Sequence, residues 1–451
     1  MSFIPTADFG RTSRLGTNWW SCCRYNVNNA WNVNGNWGFL NNNNMHNTYG
    51  VLPVSNCNKN SIIPKMRLED IIEVYFDMRR NKRKSPDQAE FEMHWEKHCL
   101  NLYNDIINRD YRPTSYTFVT FNPKPREIFA SSMSDRILHH YLDNRLRPLL
   151  ERRMHGHTYN NRVGMGTNAC QNEVISDIYE VSRGFTRDAW IIKLDLSGCF
   201  PNIVQDIAYR QLEEVILEDY HEEDKDDLLY VLRLSISSYP TERCTRRGSR
   251  KDWDAIPKEK SLFSKPEGIG AGLGRLPWQL AVNYYFHALD EWLLTFTRYE
   301  RYVDDMYFVT DNKTAFLTYT IPKIREYLAE LGASLNENKF YCQHVSKGCE
   351  CLGIHIKRDR VYPNTRIVRR GKEKARSFNR CVRESKTDSL IASLNSYLGI
   401  CKGVNGYRQA LSIVRELSSE WNKYVEFDRH RCCLVARSSN RNRIIKKFNL
   451  K

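Results

Sequence analysis

Three aspartates within two short apolar stretches are the residues of this sequence best suited to chemistry. Asp304 and Asp305 stand side by side between Tyr302-Val303 and the apolar residues 306–309. Flanks of this type favour β-strands, so the pair is expected at a strand turn. Burying two adjacent carboxylates is costly unless a cation neutralises them. Considered alone, the pair fits a solvated surface turn as well.

A second acid about a hundred residues upstream changes this balance. Asp195 ends the apolar stretch 191–195 and precedes a turn with an aromatic residue, Phe200. Two-metal phosphoryl transfer needs carboxylates that converge from separate strands, so that two ions about 4 Å apart contact the attacking and leaving oxygens. Oxygen ligands of this kind suit hard divalent ions such as Mg²⁺. We therefore expect the strand of Asp195 to lie beside a hairpin bearing Asp304 and Asp305.

The two stretches resemble motifs A and C of the reverse transcriptase palm, the second in its Tyr-Val-Asp-Asp form. The resemblance implies an α+β fold of the right-hand polymerase type, with fingers, a palm of antiparallel sheet plus helices, and a small helical thumb. It implies an RNA-directed DNA polymerase in which Asp195, Asp304 and Asp305 are catalytic and bind two Mg²⁺ ions, with Mn²⁺ as a substitute. The carbonyl of Leu196 is a further expected metal ligand.

The resemblance covers residues 63–380 and divides the chain. The expected parts are an Asn- and Trp-rich N-terminal segment (1–62), fingers (63–185), palm (186–345), and a last part with primer grip, thumb and basic tail (346–451).

Five residues resemble nucleotide-binding positions of that family. Lys124 and Arg126 lie in a Lys-Pro-Arg stretch similar to the fingers hairpin that meets the triphosphate, and Phe200 stands where the family has an aromatic steric gate against the 2′-hydroxyl. Lys339 matches the motif D lysine, a candidate general acid for the pyrophosphate leaving group, and Gln279 follows the glycine-rich loop. A solvated hairpin tip, a core phenylalanine and a surface lysine are the alternatives.

Further positions are expected to contact template or primer. Residues 268–274 are rich in glycine, which favours close backbone approach to template base and nucleotide. The residues expected to bind template or primer are Arg136, Arg162, Gly274, Tyr302, Leu352 and Gly353.

Several helices are predicted from apolar periodicity. One spans about residues 66–80, and a longer amphipathic helix spans 87–108. Another begins near Ser134 and Asp135, either of which is suited to cap it. Residues 203–236 are helical with an acidic middle, residues 218–227, that we expect to be solvated.

The composition favours a nucleic-acid partner. The net charge is +15 and the pI is near 9.1, which suits a phosphate backbone. An anionic membrane surface is the competing partner, but no basic amphipathic helix stands out and no apolar run approaches the roughly 20 residues that cross a bilayer. We expect a cytoplasmic protein with reduced cysteines and no membrane association.

The first sixty residues point to a particular branch of the family. Fifteen asparagines and four tryptophans lie between Asn18 and Asn60. The pattern resembles the translated repeat of the variable proteins of diversity-generating retroelements, in which adenines are altered during copying. A disordered polar tail is the alternative. Leu273, Gly274 and Gln279 fit the loop of these polymerases, whereas Trp278 replaces the usual serine and Gly272 a proline, which leaves selectivity for adenine open.

Three functions are therefore compared. The first is cDNA synthesis for a diversity-generating retroelement. The second is a defence, abortive-infection or retron-like reverse transcriptase with the same palm. The third is a non-catalytic RNA-binding scaffold. The expected partners are template RNA, RNA–DNA duplex and dNTPs, and the first function implies a small basic helical-bundle accessory protein.

Overall fold

The computed structural model describes residues 65–80, 85–121 and 124–437, together with the backbone of two short strands nearer the N-terminus. Contacts divide the chain into two units, Met1–Ile63 and Pro64–Lys451. In the first, strand β1 (Asn29–Val33) pairs antiparallel with strand β2 (Leu40–Asn44). The rest of the predicted Asn-rich segment, and the tail beyond residue 437, lie outside the described residues.

The second unit mixes helices and strands, as the sequence predicts. Its described α-helices are α1 (Leu68–Arg79), α2 (Pro86–Met93), α3 (Trp95–Ile107), α4 (Met133–Arg153), α5 (Thr167–Val181), α6 (Cys199–Asn202), α7 (Gln205–Asp219), α8 (Lys225–Ile236), α9 (Arg250–Asp254), α10 (Leu276–Tyr285), α11 (His287–Leu294), α12 (Lys313–Ala315), α13 (Ile321–Glu330), α14 (Thr365–Asn379), α15 (Thr387–Lys402) and α16 (Tyr407–Val414). Its described strands are β3 (Ser115–Thr120), β4 (Arg126–Ser131), β5 (Trp190–Asp195), β6 (Cys244–Arg246), β7 (Arg298–Tyr302), β8 (Asp305–Thr310), β9 (Tyr341–His344), β10 (Cys349–Cys351), β11 (Ile354–Ile356), β12 (Val361–Pro363), β13 (Val425–Asp428) and β14 (Cys433–Ala436).

A four-stranded antiparallel sheet contains the three predicted acids. Its strand order is β7-β8-β5-β9. One face packs Ile192 and Phe308 into the main core with helices α4, α7 and α10, and the other packs Ile191 and Val309 against α5 and β10. Because both faces are covered, β5 and β8 are almost continuously apolar, and this makes the acids at their ends conspicuous.

A smaller sheet of order β4-β3-β6 joins the β3–β4 hairpin to residues 244–246, with β3 antiparallel to β4 and parallel to β6. The helix predicted over residues 87–108 is wrong as a single element, because His94 adopts non-helical backbone angles (φ −137°, ψ 36°) and separates α2 from α3.

The predicted cap of α4 is corrected in the same region. Ser132, not Ser134 or Asp135, is the N-cap, and its hydroxyl accepts a hydrogen bond from the Asp135 N–H at 3.1 Å. The Asp135 carboxylate instead accepts from the Tyr111 hydroxyl (2.7 Å) and the Thr114 N–H (3.0 Å), which ties α4 to the segment entering β3.

The acidic middle of residues 203–236 is only partly a solvated face, and the expectation is wrong for two of its acids. Asp224 is buried between α7 and α8 and accepts from Tyr220 and Arg145. Asp227 is 2% exposed and accepts from the backbone N–H of Met66 and from Arg109. Both acids therefore join distant segments, which a sequence pattern cannot show.

The C-terminal part has its own apolar centre. The sheet β10-β11-β12 leads into α14, whose residues include many arginines and lysines. Leu390, Leu394 and Leu398 of α15 pack with Trp421 and with the β13–β14 hairpin. Among the described residues no helix combines the length and apolarity that a membrane span requires.

A charged pair is fully buried where α10, α11 and β7 meet. Arg301 of β7 is 0% exposed, and its Nε donates to Asp290 Oδ1 of α11 at 2.8 Å. A second nitrogen donates to the other Asp290 oxygen and to the Asn283 carbonyl at 2.9 Å. The pair is bidentate and joins α10, α11 and β7, so removing one partner leaves an uncompensated charge in the interior.

We expect Asp290→Ala to lower the free energy of unfolding by about 3–5 kcal/mol, because the Arg301 guanidinium would lose its buried counter-charge. The shift of the urea midpoint, followed by circular dichroism, measures this change. Asp206→Ala is the matched control, since the Asp206–Arg210 pair is exposed and should be worth at most about 1 kcal/mol. Equal urea midpoints for the two variants would show that the buried pair contributes no more to the free energy of unfolding than the exposed pair does.

Candidate active site

The β7–β8 turn and the end of β5 bring the three predicted acids together. Asp305, the first residue of β8, lies opposite Asp195, the last residue of β5, in antiparallel register. Cβ atoms of such a pair are about 5 Å apart. The Leu196 N–H donates to the Asp304 carbonyl at 3.1 Å, so the third acid lies at the same edge of the sheet.

Two lysines neutralise two of these acids. Lys193 Nζ lies 2.8 Å from Asp305 Oδ1, and Lys339 Nζ lies 2.6 Å from Asp195 Oδ1. Asn336 adds a side-chain hydrogen bond to Asp195 (3.2 Å) and donates its backbone N–H to the Asp195 carbonyl (2.7 Å). Asp195 is only 5% exposed, so these contacts stabilise a charge that burial disfavours.

Among the described residues, no lysine forms an ion pair with Asp304. Burial, and then the neighbouring charges of Asp305 and Asp195, raise the pKa of the Asp304 carboxyl above its ordinary value, and Lys339 opposes this only weakly. A carboxylate disfavoured in this way gains most from an added cation.

The turn before Asp304 has an unusual backbone. Val303 has φ +58°, a left-handed conformation that is an outlier for a β-branched residue and costs on the order of 1–3 kcal/mol. Three contacts hold it: the Val303 N–H donates to Asn160 Oδ1 (3.1 Å), the Val303 carbonyl accepts from Arg301 (3.3 Å), and the next carbonyl accepts from Leu196. The turn is therefore fixed by the strand that leads into it and by two separate segments, those of Asn160 and Leu196.

The donor chemistry of the cluster fits a hard divalent cation. Three carboxylates from two adjacent strands supply only oxygen atoms, which Mg²⁺ and Mn²⁺ prefer. Asp195, Asp304 and Asp305 are the residues that would hold such ions. Metal binding by the Leu196 carbonyl stays a prediction.

Phe200 follows Asp195 by five residues, and the glycine-rich loop packs against the same segment. Phe200 is half-buried in α6, and its carbonyl accepts from the Ala271 N–H at 2.8 Å. The Gly270 carbonyl accepts from the Gln205 side chain at 2.8 Å. Both hydrogen bonds join the loop to the segment that follows β5, so the loop lies close to that segment although it is distant in the sequence.

Gly274 approaches protein backbone, and its contact with template stays a prediction. It has φ +105°, and a Cβ there would lie 3.0 Å from the Phe129 carbonyl oxygen of β4. The Phe129 N–H also donates to the Leu273 carbonyl at 2.8 Å. The described close approach therefore joins the loop to the β3–β4 hairpin. Gln279 is half-buried one turn into α10.

Lys124 and Arg126 are exposed at the end of this hairpin. Arg126 begins β4 and lies opposite Thr120 of β3. Their contact with a triphosphate stays a prediction.

Arg162 and Arg136 differ in their availability for a template. The Arg162 side chain is 5% exposed, its Nε donates to Glu151 at 2.7 Å, and another nitrogen donates to the Thr158 hydroxyl at 2.8 Å. These donors are used inside the protein, and a contact of Arg162 with template stays a prediction. Arg136 is half-buried and donates to the Ser131 carbonyl at 3.0 Å.

The predicted primer-grip residues lie beside the same sheet. Leu352 and Gly353 form the β10–β11 turn with φ of +41° and +94°. The Leu352 N–H donates to the Tyr307 hydroxyl (3.3 Å), and its carbonyl accepts from Gln171 (3.0 Å). Tyr302 ends β7 and is half-buried. The turn is therefore anchored to β8, two residues beyond Asp305.

Three residues that support the site have no role in the sequence analysis. Lys193 could have been found, because it lies two residues before Asp195 on one strand and therefore on the same face. Asn336 lies close before Lys339, but only the fold shows that it contacts Asp195. Asn160 gives no sequence signal for its contact with the distant Val303.

A family model matches the part of the chain that contains the three acids. Residues 122–356, just over half of the chain, match the family model for reverse transcriptase (RNA-dependent DNA polymerase). Comparison with curated protein sequences gives no significant match.

Solved structures of telomerase are also similar. Apo telomerase from Candida tropicalis shares 13% identity over 68% of this chain and 59% of its own, with a TM-score of 0.44. Telomerase from Candida albicans with a TWJ fragment of telomeric RNA shares 13% identity over 74% and 59%, with a TM-score of 0.42. The chain thus spans about three fifths of the length of these telomerases.

In metal-free buffer near pH 7 we expect Asp304→Asn to raise the melting temperature. The raised pKa of Asp304 means that the folded state holds this proton more tightly than the unfolded chain does. The ionised carboxylate therefore costs stability, fully above the folded pKa and not at all below the ordinary value of about 4.

Melting curves of the metal-free protein near pH 7 and below about pH 4 test this, and the gain should vanish at the lower pH. Asp311→Asn, at an exposed residue just beyond β8, is the matched control and should change neither curve. A gain of equal size at both pH values would show that relief of charge is not its source.

Proposed function

The chain belongs to the reverse transcriptase family, the RNA-directed DNA polymerases with the right-hand fold, and we propose that Asp195, Asp304 and Asp305 are its catalytic centre. The single observation that supports this best is their convergence at the ends of β5 and β8, where two lysines offset part of their charge. The reaction is attack of a primer 3′-hydroxyl on the α-phosphate of a dNTP, with release of pyrophosphate.

The parts of the hand follow from the same proposal. Residues 63–185 form the fingers, 186–345 the palm, and 346–451 the primer grip, thumb and basic tail. The four-stranded sheet is then the palm, and the basic α14 belongs to a thumb that contacts the duplex through phosphates.

Each residue near the acids has a proposed task. Lys124 and Arg126, exposed on the hairpin, bind the triphosphate, and Phe200 restricts the sugar to its deoxy form. Lys339 contacts the catalytic Asp195 at 2.6 Å, so its ammonium is close enough to the reaction to stabilise charge on pyrophosphate or to donate a proton. Gln279 lies in the helix that follows the glycine-rich loop and is assigned to the nucleotide.

The three carboxylates fit two Mg²⁺ ions, and Mn²⁺ as a substitute. When bound, such ions supply charge stabilisation for the attacking and leaving oxygens. The protein contributes the fixed positions of the acids, through the antiparallel register and the three contacts that hold the Val303 turn.

We expect Asp304→Ala to reduce primer extension by at least about a thousandfold, because it removes an acid whose charge stabilisation is worth several kcal/mol. Template RNA binding, measured by filter retention, should remain within about twofold, since phosphate contacts by Arg and Lys supply that affinity. Asp311→Ala is the control and should leave both unchanged. Retained synthesis in Asp304→Ala would overturn the catalytic assignment.

For the biological role, we infer cDNA synthesis in a diversity-generating retroelement. Two sequence features support it: the Asn- and Trp-rich segment 1–62, and the match of Leu273, Gly274 and Gln279 to the loop of that group. This role implies a small basic helical-bundle accessory protein that joins the polymerase to its template RNA. The protein's site of action is then the cytoplasm.

A defence, abortive-infection or retron-like role is the second candidate. Trp278 favours it, because this tryptophan stands where the diversification group has serine. The fully buried Trp278 lies in the core of α10. A non-catalytic scaffold is the third candidate, but it would gain nothing from burying three acids.

We expect the purified protein, with its neighbouring transcript, dNTPs and Mg²⁺, to make cDNA that matches an adjacent repeat with substitutions at template adenines. Sequencing of the products measures both. A template in which each adenine of the repeat is replaced by guanine is the matched control and should be copied faithfully. Faithful, repetitive or untemplated products would assign the protein to the defence class instead.

A further inference from the structure

Three metal-ligating side chains meet outside the catalytic centre. His155 lies just beyond α4, His287 is the first residue of α11, and Glu291 lies one turn later on the same helix. The Nε2 atoms of both histidines are 3.4 Å from the same oxygen, Glu291 Oε1. One donor atom from each residue lies within 4.8 Å of the other two.

Two of the three ligand spacings match a tetrahedral metal site. With Zn²⁺ bonds of about 2.0–2.1 Å, neighbouring ligand atoms around the ion are about 3.3–3.4 Å apart. The two measured nitrogen-to-oxygen distances have this value. They are too long for a well-formed hydrogen bond, whose usual length is about 2.9 Å.

The two histidines are held in place without using these nitrogens. The Tyr284 ring stacks on the His287 ring at 4.9 Å and 19°, and the His155 ring lies 5.6 Å from the His287 ring. The buried Nε2 of His155 has no hydrogen-bond partner among the described residues. A buried polar atom without a partner is costly, and a bound ion would satisfy it.

We propose that His155, His287 and Glu291 bind one Zn²⁺ ion, with water in the fourth position. Imidazole nitrogens select zinc-like ions, whereas the all-oxygen catalytic cluster selects Mg²⁺, so the two sites differ in chemistry. The half-exposed Glu291 and His155 leave the site open to solvent. This proposal does not depend on the proposed function.

The site joins two segments that hold the catalytic turn. Beyond His155, the His157 carbonyl accepts from the Arg301 N–H (2.9 Å), and Asn160 holds the Val303 N–H. On α11, Asp290 binds the Arg301 guanidinium and lies next to Glu291. A metal ion that bridges His155 and α11 therefore fastens both segments around Arg301, which is a structural role.

The test is calorimetric titration of metal-free full-length protein with zinc sulfate, in excess Mg²⁺ so that the oxygen-only cluster is not the zinc site. We expect one zinc ion per chain and a higher melting temperature with zinc. Co²⁺ in place of zinc should give visible absorption without thiolate bands, since no cysteine is a ligand. His287→Ala and Glu291→Gln should each weaken zinc binding at least about tenfold, while the exposed control His221→Ala keeps it.

Two results would overturn the zinc site, and a third would move it. No zinc binding by the wild-type protein, or unchanged binding by Glu291→Gln and His287→Ala, overturns the proposal, and thiolate bands with Co²⁺ would place the ion on cysteines. Glu291→Gln keeps the size of an exposed side chain, so it remains informative if His287→Ala does not fold. Primer extension in Mg²⁺ is measured in parallel, and its retention in Glu291→Gln separates this site from the catalytic one.

Discussion

Three like charges brought to one edge of a buried sheet are the constraint on which the rest of this structure depends. Asp195 and Asp305 are paired across β5 and β8, and Asp304 follows within the same turn. Repulsion and burial oppose this arrangement, as the raised pKa of Asp304 shows. Lys193 and Lys339 offset two of the three charges. The remaining charge favours cations, which is the property that nucleotidyl transfer requires of the site.

The positions of the three aspartates must also be fixed, and Arg301 makes the contacts that fix them. Its backbone pairs with the segment containing His157 and Tyr159, and its side chain binds Asp290, the Asn283 carbonyl and the Val303 carbonyl. A buried arginine is costly unless all its donors are used. Here they connect two helices and an extended segment to the strained turn, so the cost of burial is offset by contacts that also set the geometry of the acids.

The sequence predicts the acids and their strands well because the signals are local. Apolar runs ending in Asp are visible in any window, and the period of two along β5 would also have revealed Lys193. The sequence fails where partners are distant. Asp224 and Asp227 lie in an acidic stretch that is typical of a solvated face. In the fold both are buried, and each forms an ion pair with a distant arginine, Arg145 and Arg109 respectively. Arg162 also has partners, Glu151 and Thr158, that no local pattern indicates.

The loop before α10 shows how a departure from a family pattern acts physically. Trp278 is 0% exposed, and its Nε1 has no hydrogen-bond partner among the described residues, so its bulk faces the core rather than a nucleotide. A serine there would leave much of that volume unfilled, which costs stability unless the surroundings collapse. An influence of residue 278 on base selection would therefore be indirect, and the backbone of Leu273 and Gly274, in the loop that leads into α10, is one route for it. That backbone is fixed against Phe129 of β4 by a 2.8 Å hydrogen bond and by the absence of a side chain at Gly274. Because α10, the loop and the hairpin of Lys124 and Arg126 are linked in this way, a core substitution can shift the proposed nucleotide site without touching it.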